Sequence, residues 1–193
     1  MSSLSNTSKQ LVPNLLLVSG SGRNSGKTTL VCEIIKNISS TKAVYALKIS
    51  PHFHKLSEKQ ELLDQQKGFK IFREKDQYSN KDSSRMLRAG AADALYIQCD
   101  DLHVAAAFQN VWQLIPNNAP VVCESGSLVK YFKPGLFLLV HHVKNEEIKN
   151  AFLRNKQLAD HVIDFDGVNF SVNVQQLAYD AMMWRFENNN IIP

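Results

Sequence analysis

The chain has 193 residues, 44% hydrophobic and 21% charged, with 22 Lys and Arg against 18 Asp and Glu for a net charge of +4. That length supports one domain with a full core, and the composition is that of a globular protein rather than a disordered or fibrous one. The basic excess is nowhere gathered into a run, which argues against nucleic-acid binding, and no apolar stretch approaches the ~20 residues needed to span a membrane.

The opening MSSLSNTSKQLVP, residues 1–13, is polar and Ser-rich. It lacks the charged start and long apolar core of a signal peptide and reads as a flexible segment. One domain is expected over residues 14–187, with NNNIIP (188–193) as a fraying end. Leu15–Val18 reads as a buried strand. A Gly-rich turn follows, and then Leu30, Val31, Ile34, Ile35 and Ile38 fall on one face of a helix. Ala43–Lys48 is the second strand. Residues 55–81 break the rhythm: LSEKQELLDQQ reads as a short helix and GFKIFRE as a strand with Phe69 and Ile71 on one side. This excursion is expected to belong to the same domain, as a lid or an interface.

Ala94–Cys99 is the third strand, and the helical pattern of DLHVAAAFQNVWQLI follows, with Asp100 or Asp101 placed to cap it. Pro120–Glu124 and Leu136–His142 are the fourth and fifth strands. NEEIKNAFLRNKQLA reads as a helix with Glu146 and Glu147 near its positive end. His161–Phe165 is the sixth strand, and NVQQLAYDAMMWRF is predicted to close the chain as an amphipathic helix. Continuous apolar strands alternating with helices predict an α/β fold with a mostly parallel, doubly wound sheet. Ligands of such sheets bind beyond the carboxyl ends of the strands. Cys32, Cys99 and Cys123 fit neither a zinc site nor a CxxC pair, and they suggest a reduced, cytoplasmic setting. Cys99 and Cys123 end apolar runs and read as small buried hydrophobes.

The stretch SGSGRNSGKTTL, Ser19–Leu30, carries the chemistry. Gly26-Lys27-Thr28 alone is a weak signal, but a strand enters the loop and a helix leaves it, which is the context a phosphate-binding loop needs. Small residues let backbone N–H groups turn toward phosphate oxygens, and the helix N-terminus adds partial positive charge. The nucleotide-binding residues are then Gly22, Arg23, Asn24, Ser25, Gly26, Lys27, Thr28 and Thr29, with Lys27 on the β- and γ-phosphates and the Thr28 hydroxyl on Mg2+. Ser21 stands where such loops place their first glycine. It must either avoid a positive φ or accept strain. The fold this implies is a three-layer P-loop NTPase domain.

Other candidates each have two readings. Glu124, followed by Ser125-Gly126-Ser127, can hold a Mg2+-bound water or orient a nucleophile, and otherwise is a strand-end acid. Asp100 competes for that role, but helix capping also explains it. Lys48 is a phosphate or anionic-substrate contact, or an exposed strand-end lysine. His52 and His54 need further ligands before they make a metal site. Asp82 is explained by helix capping, and Arg85 by contact with a γ-phosphate or substrate. NKQLAD (Asn155–Asp160) fails as a guanine-reading motif because Leu158 takes the place of its aspartate, so it reads as a helix face.

The NSGKTTL loop after a strand, the Leu47-Lys48 strand end and KDSSRMLRAGA (Lys81–Ala91) together resemble the molybdopterin-guanine dinucleotide biosynthesis protein B family. These are small P-loop proteins grouped with dethiobiotin synthetase and other metallo-cofactor GTPases. The resemblance covers roughly Leu15–Phe165. It implies GTP binding with Mg2+, weak GTPase activity and a protein partner in molybdenum-cofactor assembly, with ATP and a homodimer left open. By resemblance, Lys27 and Thr28 carry phosphate and magnesium, Lys48 ends strand two, and Asp82, Ser83 and Arg85 form the polar segment before Ala89-Gly90-Ala91. The family's Glu-Gly-aromatic-Lys pattern is replaced by ESGSLVKYFKPG here, with Glu124 retained. Two other readings stay open: a P-loop small-molecule kinase or ligase-like enzyme, and a nucleotide-gated binding module without turnover.

Overall fold

The computed structural model describes residues 9–54, 58–144 and 150–187. β1 (Gln10–Gly20) is its axis. Leu15 and Leu17 belong to one buried cluster, and Leu16 and Val18 to another. Successive strand side chains point to opposite faces, so an unbroken apolar run demands cover on both. The Leu16 face is covered by α1 (Lys27–Ser39) and by Met86 of α2 (Asp82–Arg88). α1 contributes Leu30, Val31, Ile34, Ile35 and Ile38, the five residues that helical spacing selects. The Leu15 face is covered by α3 (Val104–Trp112), through Val104, Ala107, Phe108 and Val111.

The remaining sheet strands are β2 (Tyr45–Ser50), β3 (Gln60–Gln66), β4 (Phe69–Glu74), β5 (Asp93–Cys99), β6 (Val121–Glu124), β7 (Phe132–His142) and β8 (His161–Phe165). Their order is β3-β4-β5-β2-β6-β1-β7-β8. Pairing is parallel from β5 through β8 and antiparallel for β3–β4 and β4–β5. The chain is therefore α/β, with a mixed but mostly parallel sheet. β1 starts at Gln10, ahead of the expected boundary at residue 14, and Val12 is buried and aligned with Pro134 of β7. Residues 1–8, 188–193, Glu146 and Glu147 lie outside the described residues. α4 (Asn150–Lys156) is the described part of the helix expected after β7. No described helix is long and apolar enough to cross a membrane.

The excursion is part of the sheet. Its predicted helix is instead β3, paired with β4, and the β3–β4 hairpin extends the sheet beyond β5. Glu, Gln, Lys and Leu favour a helix locally, but the open edge of β4 supplies the hydrogen bonds that decide the outcome. At the hairpin turn Gly68 has φ of 85°. Its carbonyl accepts the Asp100 N–H at 3.1 Å, and a Cβ there would lie 2.0 Å from His103 Nδ1. Gly68→Ala is expected to cost about 2 kcal/mol, from left-handed strain and displacement of His103. A urea midpoint equal to the parent's would show that the turn relaxes freely.

The predicted C-terminal helix is also replaced. A short 3-10 turn (Val174–Gln176) leads into an antiparallel hairpin, β9 (Leu177–Asp180) and β10 (Met183–Phe186). Leu177, Tyr179 and Trp184 bury against the α1 side of the core. The Tyr179 hydroxyl donates to the Asn118 carbonyl at 2.6 Å, and Trp184 Nε1 donates to the Asn14 carbonyl at 2.9 Å. Both rings thus bury their carbon and satisfy their polar tips.

Candidate functional site

The loop between β1 and α1 is shaped by its neighbours. Ser21 donates its N–H to the Val140 carbonyl at 2.9 Å, and its hydroxyl accepts the His142 N–H at 3.2 Å. It prolongs the alignment of β1 with β7, and its φ is not positive. The left-handed positions fall instead at Asn24 (φ 55°) and Gly26 (φ 88°). Asn tolerates that conformation better than most residues. A Cβ on Gly26 would lie 2.7 Å from the Phe165 ring, so glycine is required there twice over.

The Lys27 ammonium donates to the Gly22 carbonyl and, at 3.1 Å, to Ser25 Oγ, which itself donates to Gly22 at 3.1 Å. The loop is wrapped around its lysine. α1 begins without a side-chain cap, and its first intrahelical bond runs from the Leu30 N–H to the Gly26 carbonyl. The N–H ends of its first turn therefore face the loop. Arg23 and Asn24 are exposed, and Ser25 is buried.

Beside the loop four side chains from four chain segments meet. Lys48 and Glu124 are register partners at the carboxyl ends of β2 and β6. The Lys48 ammonium lies 2.5 Å from Glu124 Oε1 and 2.7 Å from Asp82 Oδ2. On the other side of the carboxylate pair, Thr28 Oγ1 donates to Glu124 Oε2 at 2.7 Å and reaches Asp82 Oδ1 at 3.1 Å. Each carboxylate thus turns one oxygen to Lys48 and one to Thr28. Glu124 is 3% exposed and Lys48 17%, so this is not a solvated surface pair. Lys48 is accordingly no exposed strand-end lysine. Nor is Asp82 a cap: α2 has Lys81 at its N-cap with no side-chain bond, and the Asp82 carboxylate is drawn to Lys48 and Thr28. Arg85, one turn further along α2, donates to Thr29 Oγ1 at 3.2 Å and ties α2 to the first turn of α1.

The electrostatics follow. Burial alone would lower the pKa of Lys48, but the Glu124 and Asp82 carboxylates outweigh it and hold the ammonium above the ordinary lysine value. Burial would raise Asp82, but the Lys48 charge and the hydrogen bonds from Lys48 and Thr28 hold it below the ordinary aspartate range. The stability that Asp82 contributes is complete above its unfolded value, about pH 3.9, and is lost as the pH falls through the depressed folded value. That of Lys48 is complete below about pH 10.4 and is lost as the pH rises through the raised folded value. The urea-midpoint difference between parent and Asp82→Asn is therefore expected to shrink below about pH 4, and that for Lys48→Met to shrink above about pH 10. Differences that stay flat with pH would contradict the cluster.

The other candidates separate cleanly. Asp100 Oδ1 accepts the N–H groups of Leu102 and His103 and lies 2.6 Å from His103 Nδ1, which gives it a complete structural role before α3. His52 and His54 have rings 6.0 Å apart and are exposed. Among the described residues no group of three or more His, Cys, Asp and Glu is placed to hold a metal. Cys99 and Cys123 are buried, and burial pushes the Cys32 and Cys99 thiols up to about 11, so none of the three is a poised nucleophile. Asn155 lies on α4, as the helix-face reading expects, but on its buried side, and the helix ends at Lys156, before the rest of NKQLAD. The Asn155 side chain is buried, with Nδ2 lying 3.4 Å from both Ser19 Oγ and the Gly126 carbonyl. Sequence reasoning also missed Glu74, buried between β4 and α2, where no periodic signal marks an acid as internal.

Comparison of the chain with protein-family models, with characterised proteins and with solved structures returned no match.

Proposed function

We propose that the chain is a three-layer P-loop domain that binds a nucleoside triphosphate with Mg2+, GTP by the resemblance, and hydrolyses it slowly. One observation carries this reading: Thr28, Lys48, Asp82 and Glu124 converge beside the Gly26-Lys27-Thr28 loop. A helix N-terminus and a glycine turn are common, but a lysine-clamped carboxylate pair on the hydroxyl of the same loop is not required by packing.

Mg2+ fits this donor set. The Thr28, Asp82 and Glu124 oxygens are hard, and one oxygen of each carboxylate lies within 3.1 Å of the Thr28 hydroxyl, so the three would hold the ion together. One or two carboxylates with phosphate oxygens and water is the ordinary environment of this ion. Bound there, it would supply positive charge to the β- and γ-phosphate oxygens.

The chain's own residues do the rest. The loop N–H groups and the Lys27 ammonium donate to phosphate oxygens, and exchanging Gly22 and Ser25 for an anion strengthens the lysine's bonds. As water attacks the γ-phosphorus, these fixed donors stabilise the charge gathering on the β–γ bridge. Lys48 bonds one oxygen of each carboxylate and so holds Asp82 and Glu124 in place. An accessory role in molybdenum-cofactor assembly rests on the sequence resemblance alone, carried by the phosphate loop and the Lys81–Ala91 segment.

Calorimetric titration of GTP and of ATP, each with and without Mg2+, tests the reading. Mg2+-dependent binding of a triphosphate, followed by slow phosphate release that a cofactor-assembly partner accelerates, is the expected result. Absence of binding by either nucleotide would overturn it.

A further inference from the structure

At the carboxyl ends of β2 and β5 a cavity of about 290 Å³ opens beside the carboxylate cluster. Lys48 and Ser50 of β2, Tyr96 and Gln98 of β5, Lys81 before α2 and Gln60 of β3 line it. The excursion, expected as a lid or an interface, supplies a wall of this cavity through Gln60.

Three observations distinguish it from an accidental cleft. Its wall is fixed: Glu74, 2% exposed, accepts Ser83 Oγ at 2.7 Å and Gln60 Nε2 at 2.9 Å through one oxygen. The other oxygen accepts the N–H groups of Lys75 at 3.2 Å and Asp76 at 3.0 Å. A buried carboxylate is retained only when so satisfied, and here it locks α2 to the β3–β4 hairpin. Its floor is polar: Gln98 is 2% exposed and held by the His54 carbonyl at 3.2 Å, where an apolar side chain would pack at less cost. It offers ammonium donors: Lys81 lines it, and so does Lys48, which carries a third N–H beyond those directed to Glu124 and Asp82, while the two Asp82 oxygens are turned to Lys48 and Thr28.

We propose that this cavity is a second ligand site, apart from the phosphate loop, for a small polar molecule bearing one carboxylate or phosphate group. The anion lies against Lys48 and Lys81, and Gln60 and Gln98 read the hydrogen-bonding body. The inference rests on the nucleotide reading for its meaning, because Lys48 and Asp82 belong to both sites and the ligand would lie beside the terminal phosphate. It names the kind of second molecule on which the triphosphate acts or to which it responds.

The test is a titration of the isotopically labelled full chain, followed by amide chemical shifts, with glutarate in one arm and glycerol 3-phosphate in the other, each to about 10 mM. Saturable shifts at Ser50, Lys81, Ser83 and Gln98 are expected in at least one arm, and the responding arm identifies the anion. Lys81→Ala, at an exposed position, and Gln98→Leu should each weaken that binding about tenfold and leave GTP affinity unchanged. Shifts confined to Gly22–Thr29, or no shifts in either arm, would overturn the second site. So would binding that both variants retain in full. A GTP titration of the same sample separates the two readings. Cavity shifts without GTP binding sink the nucleotide reading alone, and GTP binding with a silent cavity sinks this one alone.

Discussion

Lys27→Ala is expected to lower affinity for GTP with Mg2+ about a hundredfold, or about 2.7 kcal/mol, with a smaller loss of stability read from the urea midpoint. The asymmetry follows from what Lys27 touches. Among its contacts the ammonium bonds a carbonyl and a hydroxyl within its own loop, and losing such a bond to a neutral partner costs on the order of 1 kcal/mol. Against a triphosphate the same group would carry a full charge to oxygens that share several negative charges. Parent and variant compared by calorimetry and by urea denaturation give both numbers. Equal affinity in the two proteins would remove Lys27 from the binding site.

Glu124 is expected to matter for both folding and binding. Its carboxylate is 3% exposed and joins Lys48 to Thr28. Glu124→Ala leaves a buried ammonium with Asp82 as its remaining carboxylate and opens a void, so a loss of about 3 kcal/mol in unfolding free energy is expected. Glu124→Gln keeps the shape and removes the charge. It should cost less stability yet abolish the Mg2+ dependence of triphosphate binding as completely as alanine does. Urea denaturation of both variants, together with Mg2+ titrations at fixed GTP, separates the two roles. A glutamine variant with the parent's Mg2+ dependence would make Glu124 a structural residue only.

The parallel core was legible because its signals are local. Leu15–Val18 and Ala94–Cys99 are mostly apolar runs too short for helices, His161–Phe165 is a short run rich in β-formers, and α1 repeats its buried residues at the helical period. The two errors share a cause. Residues 60–66 carry helix-forming residues, and their strand is fixed by β4, a partner visible only in three dimensions. In β9 and β10 the alternation of Leu177 with Tyr179 and of Trp184 with Phe186 spans two pairs only. The turn between them is made by Ala181 and Met182, at φ of 45° and 63°, without the Gly or Asn that usually marks such turns.

The site was legible in part for a related reason. Lys27 and Thr28 are announced by neighbours in sequence, and Glu124 by its place at a strand end. The coupling of Lys48 to Glu124 depends on β2 lying beside β6, and that of Asp82 to Thr28 on α2 packing against α1. Strand order decides both contacts, and spacing along the chain does not encode it. The capping explanation of Asp82 failed for this reason: a local rule was complete on paper, and the Lys48 ammonium, 2.7 Å away, outweighed it.

The most direct test is a structure of the chain with Mg2+ and a triphosphate whose β–γ bridge resists hydrolysis. The expected result places the γ-phosphate within hydrogen-bond reach of the Gly22–Thr29 amides and Lys27, with the ion held by Thr28 and the Glu124 carboxylate. A triphosphate bound elsewhere, with Lys27 still on Gly22 and Ser25, would contradict it.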